Sequence, residues 1–164
     1  MEFSVKGMTF KLDELQELSV SDLKVNSIAR NHLFFVLPKV KKCLLVLRAG
    51  EIITPEIIKK YASQKVNCIY EYSIASEELI DEYKVIWANL KNTNSQKKQL
   101  ELKDELLLKF MQDNKSGSEH SILSFVISCY EEFIHMPIEL VLNYQSKSYL
   151  MFTRGLLLGS FSVL

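Results

Sequence analysis

The fold is decided by two apolar runs that flank a short basic turn, Leu33-Phe-Phe-Val-Leu37 and Cys43-Leu-Leu-Val-Leu47. Pro38 and the polar segment Lys39-Val-Lys-Lys42 lie between the two runs. Two short apolar runs on either side of a polar turn are typical of an antiparallel hairpin with buried strands. We therefore predict that this hairpin is the centre of the N-terminal part of the chain.

The residues on both sides of the hairpin complete an α+β pattern. Downstream, Thr54-Pro55-Glu56 is a helix start, because Thr can cap, Pro suits the first helical position and Glu suits the positive end of the helix dipole. Residues 66–72 are predicted to form an apolar strand. Upstream, residues 3–5 and 8–12 alternate as short strands, whereas residues 14–24 fit neither a helix nor a strand clearly.

From Ser76 onward the apolar residues change to a helical period. Residues 76–90 carry one apolar stripe that includes Trp87, for which core packing is the expected role. Further helices are predicted over residues 97–112, with Leu100, Leu107 and Met111 on one side, and over 118–133, from Pro137 through Leu142, and 149–164. The predicted fold class is α+β, with an N-terminal α+β regulatory unit and its connecting helix over residues 1–92 and a helical region over residues 93–164.

The composition excludes several classes of function. The 20 basic and 20 acidic residues cancel, so the charge excess of a general nucleic-acid binder is missing. Neither of the long uncharged apolar stretches, residues 121–130 and 155–164, approaches the roughly 20 residues that a membrane span needs. The three cysteines are an odd number at wide spacing, which favours a reducing compartment. We therefore expect a cytoplasmic protein.

The sequence offers no motif for catalysis, a cofactor or a metal. Phosphate-binding glycine loops and a nucleophile elbow are absent, and Gly155 and Gly159 have the spacing of a helix-packing cue instead. His32, His120 and His135 lie on three separate segments, so no pair of them has zinc-ligand spacing. We therefore expect no catalytic, cofactor-binding or metal-binding residues.

The order of these signals resembles the region that precedes the catalytic domain in bacterial HD and HD-GYP signalling proteins. The resemblance rests mainly on Arg48-Ala-Gly-Glu51 and on Val66-Asn-Cys-Ile-Tyr70, within the stretch of residues 10–72. In those proteins a small α+β module leads through helices into the HD domain, which gives them cyclic di-GMP phosphodiesterase activity. The resemblance implies a regulatory module, with residues 93–164 as the start of a degenerate or truncated HD-like domain.

The catalytic motifs of that family are missing from this chain. Phe152 and Thr153 stand where the resemblance places a metal-binding histidine, and the sequence contains neither His-Asp nor Gly-Tyr-Pro. The resemblance therefore implies a chain without the phosphodiesterase activity, either an N-terminal part of such a protein or a short relative. A cyclic dinucleotide ligand is not supported either, because paired arginines for stacking guanine are absent.

Two function hypotheses follow. The first is a non-catalytic module for regulation or protein interaction, which binds a protein partner or a second copy of itself. Its interface would include Leu156 and Leu157, in the uncharged apolar segment over residues 155–164. The alternative is a small ligand-binding domain or enzyme with a pocket between the α+β unit and the helices, lined by four polar residues: Arg48, Glu51, Tyr70 and His120.

Overall fold

The computed structural model describes residues 2–5, 8–40, 42–64, 68–115, 117–133, 145 and 148–162. The chain divides into two compact units, Met1–Ile74 and Ala75–Leu164. The first holds all the described strands and the second holds four helices, so the predicted α+β class is confirmed.

The first unit contains a two-stranded and a four-stranded sheet, both antiparallel throughout. The strands are β1 (Glu2–Val5), β2 (Met8–Lys11), β3 (Gln16–Ser19), β4 (His32–Leu37), β5 (Lys42–Leu47) and β6 (Cys68–Tyr72), and the helix is α1 (Pro55–Ser63). The hairpin of β1 and β2 forms the small sheet, and the order in the large sheet is β3-β6-β4-β5.

The predicted hairpin is β4 and β5, which pair with Val36 opposite Cys43 and Leu37 opposite Lys42. Thr54 caps α1 as expected, since its hydroxyl accepts a hydrogen bond from the backbone N–H of Ile57 at 3.3 Å. The strand predicted over residues 66–72 is described from Cys68 to Tyr72 as β6.

The segment with no clear prediction supplies the edge strand β3. Its register sets Leu18 opposite Ile69, which is completely buried. Short 3-10 turns precede and follow β3, so the apolar residues of this segment follow neither the period of a helix nor that of a strand. The pairing with β6, and not a local pattern, makes this segment a strand.

Two apolar clusters form the core of the first unit. One contains Leu33, Leu47 and Ile69 with Ile57 and Ile58 of α1 packed against it. The other joins the β1–β2 hairpin to the large sheet through four buried side chains, which are Phe3, Phe10, Phe34 and Val36. The rings of Phe10 and Phe34 lie 4.8 Å apart between centroids, the kind of offset aromatic contact that stabilises a core.

The second unit consists of α2 (Glu77–Asn92), α3 (Gln96–Asp113), α4 (Glu119–Phe133) and α5 (Tyr149–Ser162). Ser76 and Ser95 cap the first two of these helices with their hydroxyls. Trp87 is completely buried, as predicted, and its indole N–H donates to the Ser128 hydroxyl at 3.1 Å. Within the described residues, no helix is long and apolar enough to cross a membrane.

The observed boundary differs from the predicted one after residue 92. The division falls at Ile74, because α2 packs extensively on α4 and therefore belongs to the helical unit. The polar residues 93–95, at the predicted boundary, form only the turn between α2 and α3. The short helix predicted from Pro137 through Leu142 lies outside the described residues.

Candidate interaction surface

Helix α3 exposes a row of large apolar side chains. Leu100 is 64%, Leu107 41%, Leu108 58% and Met111 60% exposed, and we call these four residues the α3 stripe. At about 100° per residue, Leu100, Leu107 and Met111 lie within about 40° of one another around the helix, with Leu108 at the margin. Contiguous exposed apolar side chains of this kind mark interaction sites more often than single ones do.

The opposite side of α3 holds the helix in the second unit. Leu102 and Leu106 are buried there. The Phe110 ring lies 4.7 Å from the Phe125 ring of α4 and 5.2 Å from the Phe161 ring of α5, between centroids. The apolar side recognised in the sequence, with Leu100, Leu107 and Met111, is therefore the solvent side, and a second apolar side faces the core.

A polar cluster fixes the C-terminal end of α3 to α2. The Tyr83 hydroxyl donates to a carboxylate oxygen of Asp113 at 2.7 Å, and the Lys109 ammonium lies 3.2 Å from the same oxygen. Lys109 also bonds Glu82 and lies over the Tyr83 ring, 5.2 Å from its centroid. The cluster fixes the rotation of α3 about its axis, and this rotation turns the α3 stripe outward.

Burial and charge act together in this cluster. Burial, and then the hydrogen bond to Asp113, raise the pKa of Tyr83 far above its ordinary value, so the phenol keeps its proton. Burial alone would lower the pKa of Lys109, but its bonds to Glu82 and Asp113 raise it. Tyr83 is thus a neutral donor and Lys109 a fixed cation, and neither is poised for proton transfer near neutral pH.

A shallow depression borders the α3 stripe. It has a volume of about 540 Å³ and shares Leu108 with the stripe. Its other described lining residues are polar or charged: Glu101, Asp104, Glu105, Lys109 and Gln112. An open depression with an apolar margin and charged walls is the shape of a docking surface and lacks the enclosure of a small-molecule pocket.

The two predicted interface residues, Leu156 and Leu157, differ in their exposure to solvent. Leu156 is only 2% exposed and therefore contributes to the core of the second unit. Leu157 is half-buried, while Leu158, the next residue along, is 70% exposed. An interface involving these two residues remains a prediction, and Leu158 is the more accessible residue on α5.

Of the four polar residues considered for a pocket, Arg48 and Glu51 lie together on one turn. The backbone N–H of Arg48 donates to the Glu51 carboxylate at 2.7 Å, and Gly50 supplies the positive φ of 88°. The Glu51 carboxylate thus stabilises the turn. Tyr70 is packed against the Phe3–Phe34 cluster of the first unit, and His120 lies exposed in the first turn of α4.

His32 is a buried residue whose environment the sequence does not reveal. It is 6% exposed, and its Nδ1 accepts a hydrogen bond from the backbone N–H of Ala49 at 2.8 Å. Burial, with the nearby Arg48 charge, lowers the pKa of His32 to about 4. The imidazole is therefore neutral near pH 7 and carries its proton on Nε2, as a structural residue of the Arg48–Glu51 turn.

The described residues contain no group of three or more His, Cys, Asp or Glu that could hold a metal ion. His135 lies outside them. Burial raises the pKa values of the Cys43 and Cys129 thiols to about 11, which disfavours the reactive thiolate. Comparison of the chain with protein-family models, with curated proteins and with solved structures gives no match.

Proposed function

We propose that this chain is a non-catalytic protein-interaction module, with the α3 stripe as its docking surface. The observation that carries the proposal is the exposure of Leu100, Leu107 and Met111 on a helix whose other side already holds the core. An apolar row of this size is costly in water, and its burial against a partner would contribute about 25 cal/mol per Å² of apolar area.

The resemblance to the pre-catalytic region of HD-GYP signalling proteins extends this proposal to regulation. A module of that kind, acting in the cytoplasm, binds a protein and passes the bound state through its helices. The fixed contacts of α3 support this role, because Tyr83, Lys109 and Phe110 tie it to α2, α4 and α5. Docking on α3 would therefore act directly on the helix packing.

Site-specific photo-crosslinking tests the proposed surface. The photoreactive amino acid benzoylphenylalanine is placed at Leu107 in the full chain, which is then irradiated in the cells that naturally make it. The matched control has the same probe at Lys98, which is exposed on α3 but lies outside the α3 stripe.

We expect a single adduct of defined mass from the Leu107 position and none from Lys98. Circular dichroism of the purified variants confirms that both are folded. If neither position, nor a further probe at Leu100, gives an adduct, the α3 stripe is not a docking surface and the proposal fails.

A further inference from the structure

The α3 stripe has two flanks of opposite charge. Viewed along the line through Leu100 and Leu107, Lys103 lies about 50° to one side, and Asp104 lies about 50° to the other side. Further round on the side of Asp104 lie Glu101 and Lys97, whose charged groups are 4.0 Å apart and offset each other, so Asp104 gives that flank its net charge. Neither Lys103 nor Asp104 forms an ion pair within the described part of the chain, although both lie on a well-formed helix. Beside the apolar line, the stripe thus has one basic and one acidic flank.

This arrangement complements itself in one orientation only. When two identical helices pack parallel about a two-fold axis, the basic flank of each meets the acidic flank of the other at the same height. Lys103 then faces Asp104 of the second copy, and the contact occurs twice. In an antiparallel pair, by contrast, basic flanks meet each other and acidic flanks do likewise, which is repulsive.

The apolar residues fit the same orientation. Leu100 and Leu107 are separated by one heptad, so in a parallel pair each meets its own equivalent in the second copy. Met111 continues the contact by one further turn. The apolar line and both charged flanks can therefore be covered by one symmetrical contact.

We propose that the partner of the α3 stripe is a second copy of this chain, bound in parallel through α3 with reciprocal Lys103–Asp104 ion pairs. This inference rests on the proposed function, since it names the occupant of the same surface. The contact consists of one helix pair, at the small end of specific interfaces, so self-association is measured up to several hundred micromolar protein.

Charge reversal tests the proposal in the full chain. Lys103→Glu sets acidic groups against Asp104 of the second copy, and Asp104→Lys sets basic groups against Lys103. Sedimentation equilibrium should show a dimer for the unaltered chain, and dimerisation weakened about tenfold or more in each variant. The matched controls are Lys98→Glu on α3 and Asp81→Lys on α2, which make the same charge changes at exposed positions outside the α3 stripe and its neighbouring depression and should leave the dimer unchanged.

Mixing the two variants gives the decisive result. An equal mixture of Lys103→Glu and Asp104→Lys chains should form a heterodimer. One of its two ion pairs then keeps the original Lys103 and Asp104, and the other joins the two substituted side chains with their charges exchanged. The double variant Lys103→Glu/Asp104→Lys should recover the homodimer. A variant that unfolds by circular dichroism is replaced by Lys103→Gln or Asp104→Asn, for which a smaller weakening is expected.

The outcomes separate this inference from the proposed function. A chain that remains monomeric at several hundred micromolar overturns the self-association, and so does a mixture that fails to associate. If the Leu107 photoadduct then contains a different protein, the docking surface stands and only the identity of its partner is wrong. If no photoadduct forms at all, the proposed function itself fails.

Discussion

The hydroxyl of Tyr83 donates a 2.7 Å hydrogen bond to the carboxylate of Asp113, thirty positions further along the chain. The bond joins the middle of α2 to the last residue of α3, and the Lys109 ammonium lies beside it. It matters for the proposed docking surface because the rotation of α3 decides which apolar side chains reach the surface.

Removal of the Tyr83 hydroxyl should destabilise the second unit. Tyr83→Phe keeps the ring but leaves the partly buried Asp113 carboxylate with one donor fewer, at a cost of about 1–2 kcal/mol. Trp87 is the only tryptophan and is buried in this unit, so its fluorescence during urea unfolding reports this stability. The control is Tyr130→Phe, a half-buried tyrosine of α4 outside the cluster. Equal stability of the Tyr83→Phe variant and the unaltered chain would show that the bond does not hold α3.

The buried indole of Trp87 makes a second test of the helix packing. Ser128→Ala removes the hydroxyl that accepts from its N–H, and the loss of this buried hydrogen bond should cost about 1 kcal/mol. The comparison is Ser162→Ala, because Ser162 is exposed near the end of α5. The midpoint of urea unfolding should fall for Ser128→Ala alone, and an equal fall in both variants would contradict the assignment.

His32 should make the first unit sensitive to acid. The pKa of about 4 in the folded chain lies below the ordinary value of 6.5, so the unfolded chain binds more protons between these values. The stabilisation is complete above about pH 6.5 and is lost as the pH falls towards 4, with about 2 kcal/mol lost between pH 7 and pH 5.

Hydrogen exchange of the β4 and β5 amides at pH 7 and pH 5, corrected for the intrinsic exchange rate, measures this loss. His32→Asn keeps an acceptor for the Ala49 N–H and cannot titrate, so the extra loss should disappear. His120→Asn, on the exposed first turn of α4, is the control and should leave it unchanged. A loss that persists in His32→Asn would assign the acid sensitivity to other groups.

Leu156 and Leu158 should respond differently to truncation. Leu156→Ala opens a cavity in the helical unit and should cost about 2–4 kcal/mol, whereas Leu158→Ala should change stability by less than about 0.5 kcal/mol. Trp87 fluorescence during urea unfolding distinguishes them. For the same reason a charged residue at Leu156 would unfold the unit and could not test an interface. Similar effects of both truncations would contradict the observed orientation of α5.

Much of the fold follows from local patterns. The β4–β5 hairpin and the Thr54 cap are encoded by neighbouring residues, so both are predictable. Strand β3 is not, because it exists through its pairing with β6. Likewise, the unit boundary depends on the packing of α2 against α4, which the local sequence does not show.

The candidate surface is less predictable than the fold. The sequence shows that Leu100, Leu107 and Met111 share one side of α3, and an apolar side ordinarily faces the core. Leu102 and Leu106 form a second apolar side, and only tertiary contacts decide which of the two is buried. The environment of His32 is equally hard to predict from the sequence, because its burial depends on the backbone of a turn seventeen residues away.

The outward orientation of the α3 stripe is tested most directly by truncating two adjacent leucines of α3. In urea unfolding followed by Trp87 fluorescence, at submicromolar protein so that association does not contribute, Leu106→Ala should lower the free energy of unfolding by about 3 kcal/mol. Leu107→Ala should change it by less than about 0.5 kcal/mol. Equal losses, or a larger loss for Leu107→Ala, would place the α3 stripe in the core and contradict its role as a docking surface.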